Sequence, residues 1–198
     1  AYSELSRSKL DYVNFYMNNH KQIPTWIMFK VVNFSTFIDI LNCSKKDVSH
    51  SICNLYDLYD DRGFSNVKLL IGSLHWMRKI RNSCAHNERV YCLSRTSEQR
   101  RRSGRIIEKY LRMLNSGYTR DREQRLFDLF VYFKYFLPNT EYKQFITELK
   151  GMLNNLQSKI HPHAFEYIRG QMGIRNLEDL DTLLNFPKDD IEYNKFDK

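Results

Sequence analysis

Residues 24–41 read PTWIMFKVVNFSTFIDIL, and this stretch decides the fold class. Pro24 suits the first turn of a helix. From Trp26 to Leu41, apolar residues occupy nearly the whole circumference of a helix and leave only a thin polar strip. Such a helix must be surrounded by other helices. The stretch therefore predicts one buried helix, from Trp26 to Leu41, in an all-α fold.

The segments on either side carry helical signals as well. A helix is predicted from Glu4 to Met17. Ser44 and Asp47 form a capping box for the next helix, which the Asp60-Asp61-Arg62-Gly63 run ends. A long helix should then run from about Ser65 into the low eighties. Its predicted apolar face consists of Val67, Leu70, Ile71, Leu74, Met77 and Cys84.

The second half of the chain begins with a basic stretch. From Arg95 to Arg125 the sequence holds ten Arg or Lys against four acidic residues, which indicates a partly flexible connector. Further helices are predicted at residues 126–137, 142–160, 164–171 and 177–184. The predicted organisation is a core at residues 1–92, a connector at 93–125 and a C-terminal helical part of the same domain at 126–198.

Composition limits the partners. A net charge of +8 and a pI near 9.3 favour an acidic partner, either nucleic acid or an anionic membrane surface. The strongest apolar run, from Leu126 to Leu137, contains Asp128 and Lys134 and is too short to span a bilayer. The four cysteines lack a CxxC pair, which predicts reduced thiols and a cytoplasmic location. The chain opens with Ala1 inside a predicted helix, as a fragment or a processed chain does.

Residues 78–89, RKIRNSCAHNER, are the stretch that carries chemistry. Asn82 and His86 are four residues apart and share a helix face with Arg78. Arg81 is predicted to project into the apolar sector beside Leu74, where a guanidinium needs an anionic or hydrogen-bonding partner. The helix geometry alone favours a structural interpretation, in which Arg81 is a snorkelling edge residue and His86 is a helix C-terminal histidine.

The surrounding sequence resembles a known family. Residues 81–86, RNSCAH, fit the Arg-x4-His signature of HEPN ribonucleases and are its only Arg-x4-6-His match in the chain. Residues 23–26, IPTW, followed by 74–91, LHWMRKIRNSCAHNERVY, resemble the Abi-like (abortive-infection) family, in which a Pro-x-Trp helix precedes an LRNxCAHxxRL block. The resemblance runs from Leu5 to Phe186. The family usually carries a further N-terminal region, and the basic stretch matches nothing in it.

This resemblance implies a HEPN-like helical bundle with extra C-terminal helices. It also implies a toxin-like, metal-independent endoribonuclease of phage defence, with Arg81, Asn82 and His86 as catalytic residues and no cofactor. A histidine titrates in the range that acid-base cleavage needs, and an arginine fork matches phosphate oxygens. The predicted RNA-binding residues are Arg78, Lys79, Arg89, Arg100, Arg101 and Arg102.

The resemblance also implies partners. HEPN ribonucleases pair two motifs, whereas this chain holds one, so a homodimer is expected. RNA is the expected substrate, an RNA or protein antitoxin is a further expected partner, and no membrane is involved.

Other interpretations stay open. A HEPN-fold module that binds RNA without cutting it is one, and a helical DNA-binding regulator using the Arg-rich stretch is another. Cys84, His86 and Cys92 lack a second ligand pair for zinc. His161-Pro162-His163 predicts a helix start and not a metal site. The abundant Phe and Tyr residues favour core packing first and base stacking second.

Overall fold

The computed structural model describes residues 2–20, 22–60, 62–95 and 125–185. In these ranges the regular structure is helical, apart from one antiparallel bridge between Tyr59 and Ser65. The prediction of an all-α fold is therefore confirmed. The chain divides into two compact units, Ala1–Lys46 and Asp47–Lys198.

The first unit contains four short helices. They are α1 (Tyr2–Ser6), α2 (Asp11–Asn19), α3 (Thr25–Val31) and α4 (Phe34–Asn42). Leu5, Val13 and Ile27 form the small core of α1, α2 and α3. Tyr16 and Met28 pack against this core and are only partly buried. The core of these three helices thus consists of one aliphatic side chain from each, and α4 buries Ile38 and Leu41.

The predicted helix from Trp26 to Leu41 is wrong as a single helix. Val32 is extended (φ −67, ψ 139) and separates α3 from α4. Asn33 then caps α4, because its side chain accepts a hydrogen bond from the Thr36 N–H at 3.0 Å. The predicted helix from Glu4 to Met17 is likewise divided, into α1 and α2. A capping side chain can end one helix and begin another at a small cost in free energy. The apolar periodicity of the sequence does not reveal such a break.

The second unit begins with α5 (Lys46–Leu55), which ends earlier than predicted. Asp60 and Gly63 lie in a turn next to the Tyr59–Ser65 bridge, where the Gly63 N–H donates to the Asp60 carbonyl at 2.9 Å, and not at the end of a helix. The Asp60 carboxylate accepts hydrogen bonds from the backbone N–H groups of Arg62 and Phe64, each at 2.9 Å. Helix α5 itself has ended before this turn, because Asp57 is left-handed (φ 54) and the Leu58 N–H donates to the Cys53 carbonyl at 2.9 Å.

The long helix α6 (Val67–Ala85) is confirmed, and Asn66 caps its first turn. The predicted apolar face is only partly the buried one: Leu70 and Ile71 are buried, as predicted, but the other four residues of that face are not. The buried row includes Leu69, Trp76 and Ile80, whereas Met77 is half-buried and Cys84 is exposed. Two apolar rows run along this helix, and packing against another helix of the unit selects one of them.

Four further helices complete the described part of the second unit. They are α7 (Leu126–Phe136), α8 (Asn139–Gln157), α9 (Pro162–Met172) and α10 (Glu178–Asn185). Helix α7 is buried along nearly its whole length and packs against α6 and α8. A 3-10 helix, Val90–Cys92, packs against α6 and α9. None of the described helices is both long and apolar enough to cross a membrane.

Candidate active site

The C-terminal end of α6 carries the predicted motif and has a defined backbone geometry. His86 is the C-cap residue, and Asn87 after it adopts a left-handed conformation with φ 54. The Asn87 N–H donates to the Cys84 carbonyl at 3.2 Å, and the Glu88 N–H donates to the Ser83 carbonyl at 2.9 Å. This pair of bonds is a Schellman motif. The Schellman motif fixes the backbone of His86 at the C-terminal end of α6.

A side-chain bond closes the same turn. The Ser83 hydroxyl, on the buried side of α6, donates to a Glu88 carboxylate oxygen at 2.6 Å. Glu88 is thereby held on the side of the turn where Ser83 lies. The segment that follows the helix is therefore tied to it by both backbone and side-chain bonds.

The three predicted catalytic side chains lie at the surface near one another. Arg81, Asn82 and His86 are all exposed. The His86 N–H donates to the Asn82 carbonyl at 2.9 Å, one helical turn apart, so these two residues share a side of α6. Arg81 Nη1 donates to Asn82 Oδ1 at 3.1 Å. Asn82 thus connects the guanidinium to the side of the helix that carries the imidazole.

Arg81 lies on the side of α6 that carries Leu74 and Met77, as predicted, but Arg81 itself is exposed and not enclosed by apolar side chains. The core-facing row of α6 contains Trp76 and Ile80, and each residue is rotated by about 100° from the one before it. Arg81 therefore turns away from the core row and reaches solvent. No buried partner is needed for its charge, and the guanidinium is accessible to a ligand.

The predicted RNA-binding residues have different environments. Lys79 Nζ donates to the Ser94 carbonyl at 2.7 Å and lies 5.7 Å from the centre of the Trp76 ring. Arg78 is half-buried, and Arg89 is exposed. Among these cations, Arg89 is the one at the surface beside the end of α6. Arg100, Arg101 and Arg102 lie outside the described residues.

Metal ligation has no support in the residues that can be described. They contain no group of three or more His, Cys, Asp or Glu side chains placed to hold a metal ion. Cys84 and Cys92 are both exposed free thiols. His161 caps α9 by accepting a bond from the His163 N–H at 3.3 Å, which confirms the predicted helix start.

Sequence reasoning missed a buried charge cluster behind the site. Arg95, predicted as the start of a flexible connector, has a fully buried side chain paired with Asp128 of α7. Its Nη1 also donates to the Tyr132 hydroxyl at 2.9 Å, and the guanidinium carbon lies 6.0 Å from the centre of the Trp76 ring. Burial by itself would lower the pKa of Arg95, but the attraction of Asp128 together with Tyr132 raises it.

A signal for this cluster was present in the sequence. Asp128 stands inside the strongly apolar run of α7, and a buried carboxylate requires a cation or donors. Arg95 supplies that cation and attaches the chain after the motif to α6 and α7. Arg125, at the other end of the predicted connector, donates from Nη1 to Gln171 Oε1 at 2.6 Å. Residues 96–124 between them lie outside the described part of the chain.

In an all-α protein, the end of the long helix α6 thus carries an exposed cluster of Arg81, Asn82 and His86. Residues 1–92 match the family model described as Abi-like protein. The matched range contains α1 to α6 and residues 81–86, and it ends before the basic stretch. The predicted similarity to the Abi-like family is confirmed over this range, and the predicted extension to Phe186 lies beyond it. No curated protein and no solved structure matches the chain.

Proposed function

We propose that this protein is a toxin-like, metal-independent endoribonuclease of abortive infection, a form of phage defence. The observation that carries the proposal is the exposed cluster of Arg81, Asn82 and His86 at the end of α6. This cluster lies inside the range that is similar to Abi-like proteins. The similarity supports the defence role, and the side chains support the chemistry.

Each residue of the cluster has a role in cleavage of the RNA backbone. His86 takes the proton of a ribose 2′-hydroxyl, and the resulting oxygen attacks the adjacent phosphorus. The bond from phosphorus to the 5′-oxygen breaks, and that oxygen receives a proton from an acid. The products are a 2′,3′-cyclic phosphate and a 5′-hydroxyl. Arg81 neutralises the charge that develops on the phosphate oxygens, and Asn82 orients the guanidinium.

A second copy of the chain supplies the acid in this proposal. One chain brings one histidine to the end of α6, and a two-fold axis would place a second His86 opposite the first. The outer side of α6 supports such pairing. Leu74 and Met77 on that side are half-buried, and Ala85 beside the motif is exposed. We name the residues Leu74, Met77, Arg81 and Ala85 the outer face of α6.

We assign the RNA contacts of the cationic residues near the motif from the solvent exposure of their side chains. Arg89 is exposed near the motif, so it is the first cation that a phosphate meets. Arg78 and Lys79 follow, and Lys79 would exchange its bond with the Ser94 carbonyl for a bond with phosphate. Counterion release from several such contacts makes binding weaker at high salt.

The proposal is tested by incubating the purified protein with a labelled single-stranded RNA and separating the products on a denaturing gel. We expect cleavage that persists in EDTA and leaves 2′,3′-cyclic phosphate ends. An oligodeoxynucleotide of the same sequence should stay intact, because it lacks the attacking hydroxyl. Cleavage of the DNA, or loss of activity on chelation, would contradict the mechanism. RNA that is bound but never cut would favour the non-catalytic RNA-binding module.

A further inference from the structure

The first unit displays a group of aromatic rings that the candidate active site does not use. Tyr12 and Phe15 of α2 and Trp26 of α3 are 37%, 55% and 53% exposed. Tyr16 connects them: its ring centre lies 5.7 Å from that of Phe15 and 6.1 Å from that of Trp26, edge to face in both cases. We name Tyr12, Phe15, Tyr16 and Trp26 the aromatic face.

Three of these rings, those of Tyr12, Phe15 and Trp26, do not belong to the core of the unit, whereas Tyr16 packs against it. The core side of α2 and α3 is formed by Val13 and Ile27, both fully buried. Tyr12, Phe15 and Trp26 remain in solvent, although they are among the largest apolar side chains available. Several large exposed rings that form one patch indicate an interaction surface.

The polar groups around the aromatic face identify its ligand. Lys30 Nζ lies 5.7 Å from the centre of the Tyr12 ring and 5.3 Å from that of the Trp26 ring. Asp11 is the one acidic residue in the sequences of α2 and α3. Asn14 and Asn18 are exposed on α2, and carboxamides match the edges of bases better than they match acyl chains.

Exposed rings interleaved with a cation match the chemistry of single-stranded nucleic acid. Unpaired bases stack on aromatic side chains, and a lysine beside the rings meets the phosphates between those bases. We propose that the aromatic face binds unpaired RNA, with bases stacked on Tyr12, Phe15 and Trp26 and a phosphate on Lys30. The inference rests on the proposed ribonuclease function and deepens it by assigning to the first unit a surface that binds the single-stranded substrate.

The two tryptophans allow a direct test of this binding. Trp26 is half-exposed, whereas Trp76 is fully buried, so a ligand on the aromatic face should quench only Trp26. The wild-type chain is titrated with a 2′-O-methyl oligonucleotide of twelve nucleotides, which cannot be cleaved by attack of a 2′-hydroxyl. We expect saturable quenching by the single strand and at least tenfold weaker binding of the matched duplex. The Trp26→Phe protein should show no quenching.

Variants then assign the contacts. Phe15→Ala and Lys30→Ala should each weaken binding of the single strand about tenfold, as loss of one stacked base or one phosphate contact does. Phe64→Ala is the control, because Phe64 is 68% exposed in the second unit and lies outside the aromatic face. Its affinity should equal that of the wild type. The helical circular dichroism of each variant verifies folding, and Lys30→Gln, which removes the charge and retains Trp26 as the reporter, replaces an alanine variant that unfolds.

The outcomes separate this inference from the proposed function. Cleavage of RNA without quenching of Trp26 would overturn the aromatic face as an RNA site and leave the ribonuclease intact. Saturable quenching without any cleavage would support the aromatic face and contradict the ribonuclease. Quenching by anionic phospholipid vesicles but not by RNA would overturn the inference. A Trp26 emission that changes only with protein concentration would also overturn it, in favour of self-association.

Discussion

At the residue scale, the backbone of Asn87 turns the chain out of α6 directly after His86, at φ 54. Asparagine tolerates this left-handed conformation better than most residues, and glycine adopts it without strain. We therefore expect Asn87→Ala to lower the free energy of unfolding by about 1 kcal/mol, whereas Asn87→Gly should be close to neutral. Urea unfolding measures both. Because His86 is the C-cap, Asn87→Ala should also reduce RNA cleavage. Equal stability of the alanine and glycine variants would contradict the role of the turn.

Cys53 predicts a pH dependence of stability. Its thiol is fully buried on α5, and desolvation raises its pKa from 9.0 to about 11. The folded state therefore holds the thiol proton more tightly than the unfolded state does. The stabilisation is fully present below pH 9 and is lost as the pH rises toward 11. Between pH 8 and 10.5 the wild type should lose roughly 2 kcal/mol more than Cys53→Ala does. If urea unfolding showed the same decrease in the free energy of unfolding for both proteins over this pH range, the prediction would be refuted.

The motif residues could be found from the sequence, but the exposure of Arg81 could not. The Arg-x4-His spacing and its flanking residues are contiguous in the chain, so the sequence alone is enough to recognise them. The exposure of a side chain on α6 depends on which apolar row of the helix is buried. Leu74 and Met77 belong to one row, and Trp76 and Ile80 belong to the other. Tertiary packing buries the row of Trp76 and Ile80. The side of α6 that carries Arg81 is therefore more exposed than the sequence predicted.

At the element scale, the Arg95–Asp128 pair holds the segment after the motif against α7. Removal of one partner leaves the other as an uncompensated buried charge. We expect Arg95→Ala to cost about 3–5 kcal/mol of unfolding free energy. Lys150→Ala is the matched control, because the Lys150–Asp181 pair is about one third exposed (32% and 43%) and should contribute little. Chemical denaturation compares the two. A similar decrease in the free energy of unfolding of both variants would contradict a larger contribution from the buried pair.

Long helices could be predicted from the sequence, and their interruptions could not. Helices α6, α7 and α8 have a strong apolar periodicity over two or more turns, which is the most reliable signal in a single sequence. The break at Val32 and Asn33 depends on a capping bond from one side chain. The burial of Arg95 depends on Asp128, which lies 33 residues further along the chain. A contact over such a separation is invisible to local patterns.

At the scale of the whole molecule, the proposed site requires two copies. Ala85 on the outer face of α6 is exposed, so Ala85→Lys should leave the fold of one chain intact and add like charges where two copies meet. We expect light scattering to give a dimer for the wild type and a shift toward monomer for Ala85→Lys. Specific activity should fall in parallel. Leu55→Lys is the control, since Leu55 is 72% exposed on α5. A strict monomer that still cleaves RNA at nanomolar concentration would refute the composite site.

In the proposed mechanism, His86 performs the acid-base step of RNA cleavage. The most direct measurement is the single-turnover rate of cleavage of one labelled RNA by wild type, His86→Ala and His163→Ala. His163 is the matched control, because its side chain is 88% exposed at the start of α9 and does not belong to the motif. We predict that His86→Ala lowers the rate by at least about 100-fold with unchanged helical content, and that His163→Ala cleaves at the wild-type rate. A His86→Ala protein that cleaves as fast as the wild type would contradict the account.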